Sequence, residues 1–169
     1  MTLEEAIKTA LVYENKVFAT YQKAEAEATD ETGKRVFKVL ADEEQGHIDY
    51  LESCLAEWQK TGKLTVEKLE TAIPSQEAIQ KRVGQIDPNT RGEATPREVE
   101  LLDQALAAEI ETAGFYKRMV EELDDEGKAL FKRFVEIEEG HVSIVEAELD
   151  SVRGNGFWFG MQEFSLEAE

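Results

Sequence analysis

Four glutamates stand where a helical chain should place apolar side chains, and this pattern constrains the protein more than any other. Read at the spacing of one helix face, a first stripe runs Ile7, Leu11, Glu14, Phe18, Tyr21. A second runs Phe37, Leu40, Glu44, His47, Leu51, and a third Leu102, Leu106, Glu109, Ala113, Tyr116. The fourth runs Phe131, Phe134, Glu138, His141, Val145. Each stripe predicts an amphipathic helix burying one face. A carboxylate in such a seam costs several kcal/mol unless it is paired or bound to metal. One exception per helix, with a histidine one turn later in two of them, requires a common cause.

Helix boundaries follow from local chemistry. Thr2 and Glu5 have capping-box spacing, so the first helix starts near Leu3 and fades at Ala28. Thr29 or Asp30 caps the second, which Gly62 ends, and the tight turn makes the two antiparallel. Residues 63–94 contain Pro74, Gly84, Pro88 and Gly92 and break the periodicity, leaving only a short helix around Gln76–Arg82. They read as a long crossover that brings the third helix in parallel to the second. Thr95-Pro96-Arg97-Glu98 starts that helix, Asp124-Asp125 makes the next turn, and Gly154 stops the fourth helix. The expected fold is all-α, a four-helix bundle of two antiparallel hairpins over residues 1–154. Residues 155–169 form an aromatic tail that packs on the bundle or on a dimer partner.

The glutamates also agree in height. Glu14 lies 15 residues before Thr29, and Glu44 lies 14 after Asp30. Glu109 lies 15 before Asp124, and Glu138 lies 14 after it. All four therefore share one level of the bundle. Glu43-Glu44-Gln-Gly-His47 echoes Glu138-Glu139-Gly-His141, and Tyr21 and Tyr116 each follow their glutamate by seven residues. The chain reads as a duplicated helical hairpin.

Both histidines of the chain lie in these motifs. Four carboxylates bring −4, which two divalent cations would neutralise, with neutral imidazoles completing the set. Such mixed donors suit iron or manganese, with zinc as an alternative. Glu14, Glu44, His47, Glu109, Glu138 and His141 are therefore candidate metal ligands. Tyr21 and Tyr116 are candidates to hydrogen-bond ligand carboxylates, or else plain core tyrosines. Cys54 is the only cysteine, which excludes an internal disulfide and a four-cysteine metal site within the chain. The net charge of −18 disfavours nucleic acid and anionic membranes as partners. No stretch approaches a transmembrane span and the N-terminus has no signal-peptide pattern, so a cytoplasmic location is expected.

The pattern Glu14, Glu44-x-x-His47, Glu109, Glu138-x-x-His141 resembles the ferritin-like di-iron carboxylate superfamily over roughly residues 3–152. Tyr13-Glu14, Tyr21, Asp42-Glu43-Glu44, Phe115-Tyr116 and the two histidine motifs are similar to the rubrerythrin and erythrin branch. The resemblance implies two iron ions, with Glu44 and Glu138 bridging, Glu14 and Glu109 terminal, and one histidine on each ion. Two features depart from that branch. The four-cysteine rubredoxin-like module is absent from this sequence, and Thr112 stands where rubrerythrins carry a further glutamate. Glu111 is near but should point off the seam.

The function this implies is peroxide reduction by a di-iron peroxidase-type oxidoreductase in oxidative-stress defence. The alternative is iron handling, a ferroxidase using oxygen and Fe(II); substrate hydroxylation and a purely structural bundle are more remote readings. With a single cysteine, electrons should come from an external donor such as a rubredoxin-like protein. A homodimer is expected.

Overall fold

The computed structural model describes residues 1–65, 68–83 and 92–158. Among them are five helices: α1 (Leu3–Glu27), α2 (Glu31–Thr61), α3 (Gln76–Val83), α4 (Pro96–Glu122) and α5 (Asp125–Gly154). No helix among the described residues is long and apolar enough to cross a membrane.

The ends obey the expected chemistry. Thr2 and Thr95 both close capping boxes, with Glu5 and Glu98 reaching back to the cap N–H groups. Asp30, not Thr29, caps α2, its carboxylate accepting from the Gly33 N–H. Gly62 ends α2 in the left-handed region, at φ 67°. Asp124 precedes α5 without a side-chain cap, and Gly154 is the last residue of that helix.

α1 packs along α2 and α4 along α5, while α1 also packs along α4. Tyr13 stacks on Phe115 and Lys16 pairs with Glu111, so residue numbers rise along α1 as they fall along α4. These helices are antiparallel, which makes α4 parallel to α2 as the crossover requires. Val17 takes a fully buried place in α1, whereas Leu11, Phe18 and Leu106 lie only partly buried beside the core. The Glu111 carboxylate lies outside the seam, as its position on the helix predicts.

The apolar core is divided in two. One cluster holds Val17, Tyr21, Phe37, Leu40, Leu102 and Ile144; the other holds Ile7, Leu51, Tyr116, Phe131 and Phe134. On every long helix the break between them falls at the glutamate of the seam. The polar layer is therefore sandwiched between two apolar plugs that keep water from it along the bundle axis.

The end of the bundle at the α1–α2 turn is tied by Glu98. Its carboxylate accepts from the N–H groups of Thr29, Asp30 and Thr95 at 2.9, 3.0 and 2.8 Å. Residues 92–94 and 156–158 pair briefly across this end, through Ala94 N–H to Gly156 O and Trp158 N–H to Gly92 O. Trp158 is fully buried edge-on to Phe37 and directly over Gly33, where a Cβ would lie 2.9 Å from the indole. The described part of the aromatic tail thus packs on the bundle. Residues 159–169, like Gly84 and Pro88 of the crossover, lie outside the described residues.

Candidate metal centre

All six residues singled out in the seams converge between the two plugs. Glu14, Glu44, Glu109, Glu138 and His141 are fully buried, and His47 is 1% exposed. Helical spacing alone places them there: each glutamate lies half-way along its helix, and each histidine lies one turn beyond a glutamate on the same face.

Their donor atoms form two groups. Glu14, Glu44, His47 and Glu138 can bring one donor atom each within 4.8 Å of one another, and so can Glu44, Glu109, Glu138 and His141. Glu44 and Glu138 belong to both groups. His47 Nδ1 lies 3.4 Å from Glu14, 3.3 Å from Glu44 and 3.3 Å from Glu138. His141 Nδ1 lies 2.8 Å from Glu44 and 3.4 Å from Glu109. Donors bound about 2.1 Å from one ion at ordinary angles stand about 3.0–3.4 Å from each other. Most of these separations match that spacing.

Among the described residues, the buried atoms without a hydrogen-bond partner are concentrated here. They include one oxygen each of Glu14, Glu44 and Glu109, both oxygens of Glu138 and both ring nitrogens of His47. Buried polar atoms are normally satisfied, because an orphan bears its full desolvation cost. Unsatisfied carboxylate oxygens and imidazole nitrogens aimed at common points are what a cation would satisfy. The cluster is thus able to hold metal.

Electrostatics lead to the same view. Burial drives the Glu44 carboxyl up, and Glu14 and Glu109 push it further, to about 8. Burial and the carboxylates of Glu109, Glu44 and Glu14 raise Glu138 well above the carboxylate range. For Glu14, burial is outweighed by His47 and by hydrogen bonds, leaving it at about 2; in Glu109 burial is outweighed chiefly by His141, which lowers it. Burial would lower both imidazoles, yet the carboxylates around them raise His47 and His141 well above their usual range. A layer this rich in buried negative charge takes up protons, and for the same reason attracts metal cations.

The two tyrosines are part of the site. Tyr21 Oη donates to Glu109 Oε1 at 2.6 Å, and Tyr116 Oη donates to Glu14 Oε1. Thr112 is buried, but its hydroxyl donates to the Ala108 carbonyl of its own helix and so offers no carboxylate in its place.

One residue escaped the sequence reading as part of the site. Glu43 Oε2 lies 3.4 Å from His141 Nε2 and 4.0 Å from His47 Nε2, on the ring edges facing away from the glutamate cluster. Glu43, His47 and His141 form a third group of close donor atoms. Burial would raise the Glu43 carboxyl, but His141, the Ala72 N–H and Thr71 hold it at about 2. The available signal was its place immediately before Glu44 and one turn before His47. Comparison with protein-family models and with curated proteins gives no match for the chain.

Proposed function

We propose that this chain is a ferritin-like, rubrerythrin-type oxidoreductase that holds two iron ions and reduces a peroxide. The observation that supports it most is the sharing of Glu44 and Glu138 between two complete donor groups. Glu14 and His47 would hold one ion, Glu109 and His141 the other, with Glu44 and Glu138 common to both. An iron pair so held supplies the two electrons that convert hydrogen peroxide and two protons into two waters.

The chain's own residues supply charge, orientation and dryness. Four carboxylates balance two divalent cations, and neutral imidazoles add none. Tyr21 and Tyr116 fix the orientation of Glu109 and Glu14 and leave one oxygen of each free as a donor. The apolar plugs exclude water, which preserves the strength of these interactions. One cysteine cannot build a four-thiolate relay within these residues, so electrons would come from a rubredoxin-like donor or a small reductant.

The test is metal analysis of protein purified from its own source, followed by anaerobic assay. Two iron ions per chain are expected, with peroxide consumed faster than oxygen. Without a donor, the reduced protein should consume about one peroxide per site and stop, and a rubredoxin-like donor with its reductase should restore turnover. Preferential use of oxygen, with Fe(II) oxidised in excess, would instead favour iron handling. Sustained peroxide loss with oxygen evolution would overturn the peroxidase reading.

A further inference from the structure

The crossover passes over the histidine side of the metal-binding layer and is pinned to both helices that carry histidines. On α2, Glu43 Oε2 accepts from Thr71 Oγ1 at 2.7 Å, and Glu43 Oε1 accepts from the Ala72 N–H at 2.6 Å. On α5, the Arg133 guanidinium donates twice to the Leu69 carbonyl, at 3.1 and 2.8 Å. Gly140, between Glu138 and His141, lets this segment approach: a Cβ there would stand 3.1 Å from the Pro74 carbonyl.

The two imidazoles are stacked, with centroids 5.2 Å apart and planes 18° apart, so their Nε2 edges face the same carboxylate. Glu43 is nine-tenths buried. Both of its oxygens already accept from the crossover, Oε2 from Thr71 and Oε1 from the Ala72 N–H, so toward His141 the carboxylate is placed to accept from Nε2–H, which would leave Nδ1 to face a metal ion. The repeat is broken here. Ile137, the residue before Glu138, is buried in an apolar cluster and corresponds to Glu43 in the other half. One carboxylate therefore lies at the outer edge of both rings, at hydrogen-bond distance from His141 and farther from His47, at 4.0 Å.

We propose that Glu43 is a positioning residue that sets the tautomer and orientation of His141, and that Thr71 and Ala72 of the crossover set Glu43 in turn. This rests on the metal reading above, but it concerns a residue outside the six donors. The crossover is then part of the metal-holding apparatus, and its attachment governs how firmly metal is retained.

The test uses the full chain loaded with zinc, which is diamagnetic and redox-inert. Metal retention is measured against a chelator, and the histidine ring N–H signals are followed by NMR. Wild-type protein should hold two zinc ions and show a slowly exchanging Nε2–H on His141. Glu43→Gln should remain helical by circular dichroism, lose metal about 10- to 100-fold more readily and expose that proton to exchange. Thr71→Val should move both readouts in the same direction by less. Glu139→Gln, beside the other bridging candidate but paired outward with Lys117, should match wild type.

Wild-type retention and an unchanged ring proton in Glu43→Gln would overturn this inference and leave the metal reading standing. Should Glu43→Gln not fold, Thr71→Val decides, and wild-type behaviour there overturns the inference equally. Wild-type protein that takes up neither zinc nor Fe(II) would overturn both.

Discussion

The Tyr21 hydroxyl donates to Glu109 across the seam, from the first hairpin to the second, at 2.6 Å. Tyr116 returns the bond to Glu14, so each hairpin orients the other's outer carboxylate. This reciprocity is the duplicated sequence expressed as geometry. Tyr21→Phe removes a buried donor to an ionised group and should cost about 1–3 kcal/mol of stability in the metal-free protein. Tyr116→Phe should cost a similar amount. Urea titration of each variant checks both, and no loss in either would mean that the glutamates find other partners.

Glu44 belongs to both donor groups, whereas Glu111 points outward to Lys16. Glu44→Ala should abolish binding of at least one metal ion per chain. Glu111→Ala should leave stoichiometry unchanged and alter stability by less than about 1 kcal/mol, as expected for an exposed ion pair. Equal metal content in the two variants would remove Glu44 from the ligand set.

Metal removal should make stability fall as pH rises. Glu44, Glu138, His47 and His141 all have folded-state pKa values above their unfolded ones. The folded metal-free protein therefore binds more protons than the unfolded chain. The contribution of these four groups is full below the unfolded carboxylate range and declines as pH rises, the share of Glu44 being lost through about pH 8. Glu14 and Glu109 have the opposite sign, and their contribution is lost as pH falls below the unfolded carboxylate range, for Glu14 through about pH 2. Thermal melts between pH 5 and pH 9, run with metal and with chelator, should diverge as pH rises. Parallel curves would show that the carboxylates are solvated.

Glu98 is buried far from the donor layer and holds three backbone N–H groups of two turns. Glu98→Ala leaves those donors without this acceptor and should lower stability by about 2–4 kcal/mol. Metal stoichiometry should persist under conditions where the variant is folded. Loss of metal from a fully folded variant would contradict this separation of scaffold from site.

The two glycines beside the histidines should respond differently. Gly46 faces open space, so Gly46→Ala should stabilise α2 by up to about 1 kcal/mol through helix propensity. Gly140 lies under the Pro74 carbonyl, so Gly140→Ala should gain less or lose stability as the crossover is displaced. Thermal melts of the pair distinguish the positions, and equal gains would place the crossover farther from α5.

Local rules in the sequence determined much of this protein. Capping boxes at Thr2 and Thr95, the glycine stop at Gly62 and apolar stripes at helical period depend on neighbours within a turn or two. The convergence of Glu14, Glu44, His47, Glu109, Glu138 and His141 was legible for the same reason: equal distances from two turns put residues of antiparallel helices at one height. Only the tertiary structure decided what lies on the far side of those rings. Leu11 and Phe18 occupy the margin of the core while Val17 takes its centre, because α1 faces two helices at once and its buried face turns toward both. The attachment of Thr71 and Ala72 to Glu43, and of Leu69 to Arg133, joins residues 28, 29 and 64 positions apart through an aperiodic crossover. No period or cap encodes such contacts. They are selected by which surface two packed hairpins leave for the connecting chain to cover.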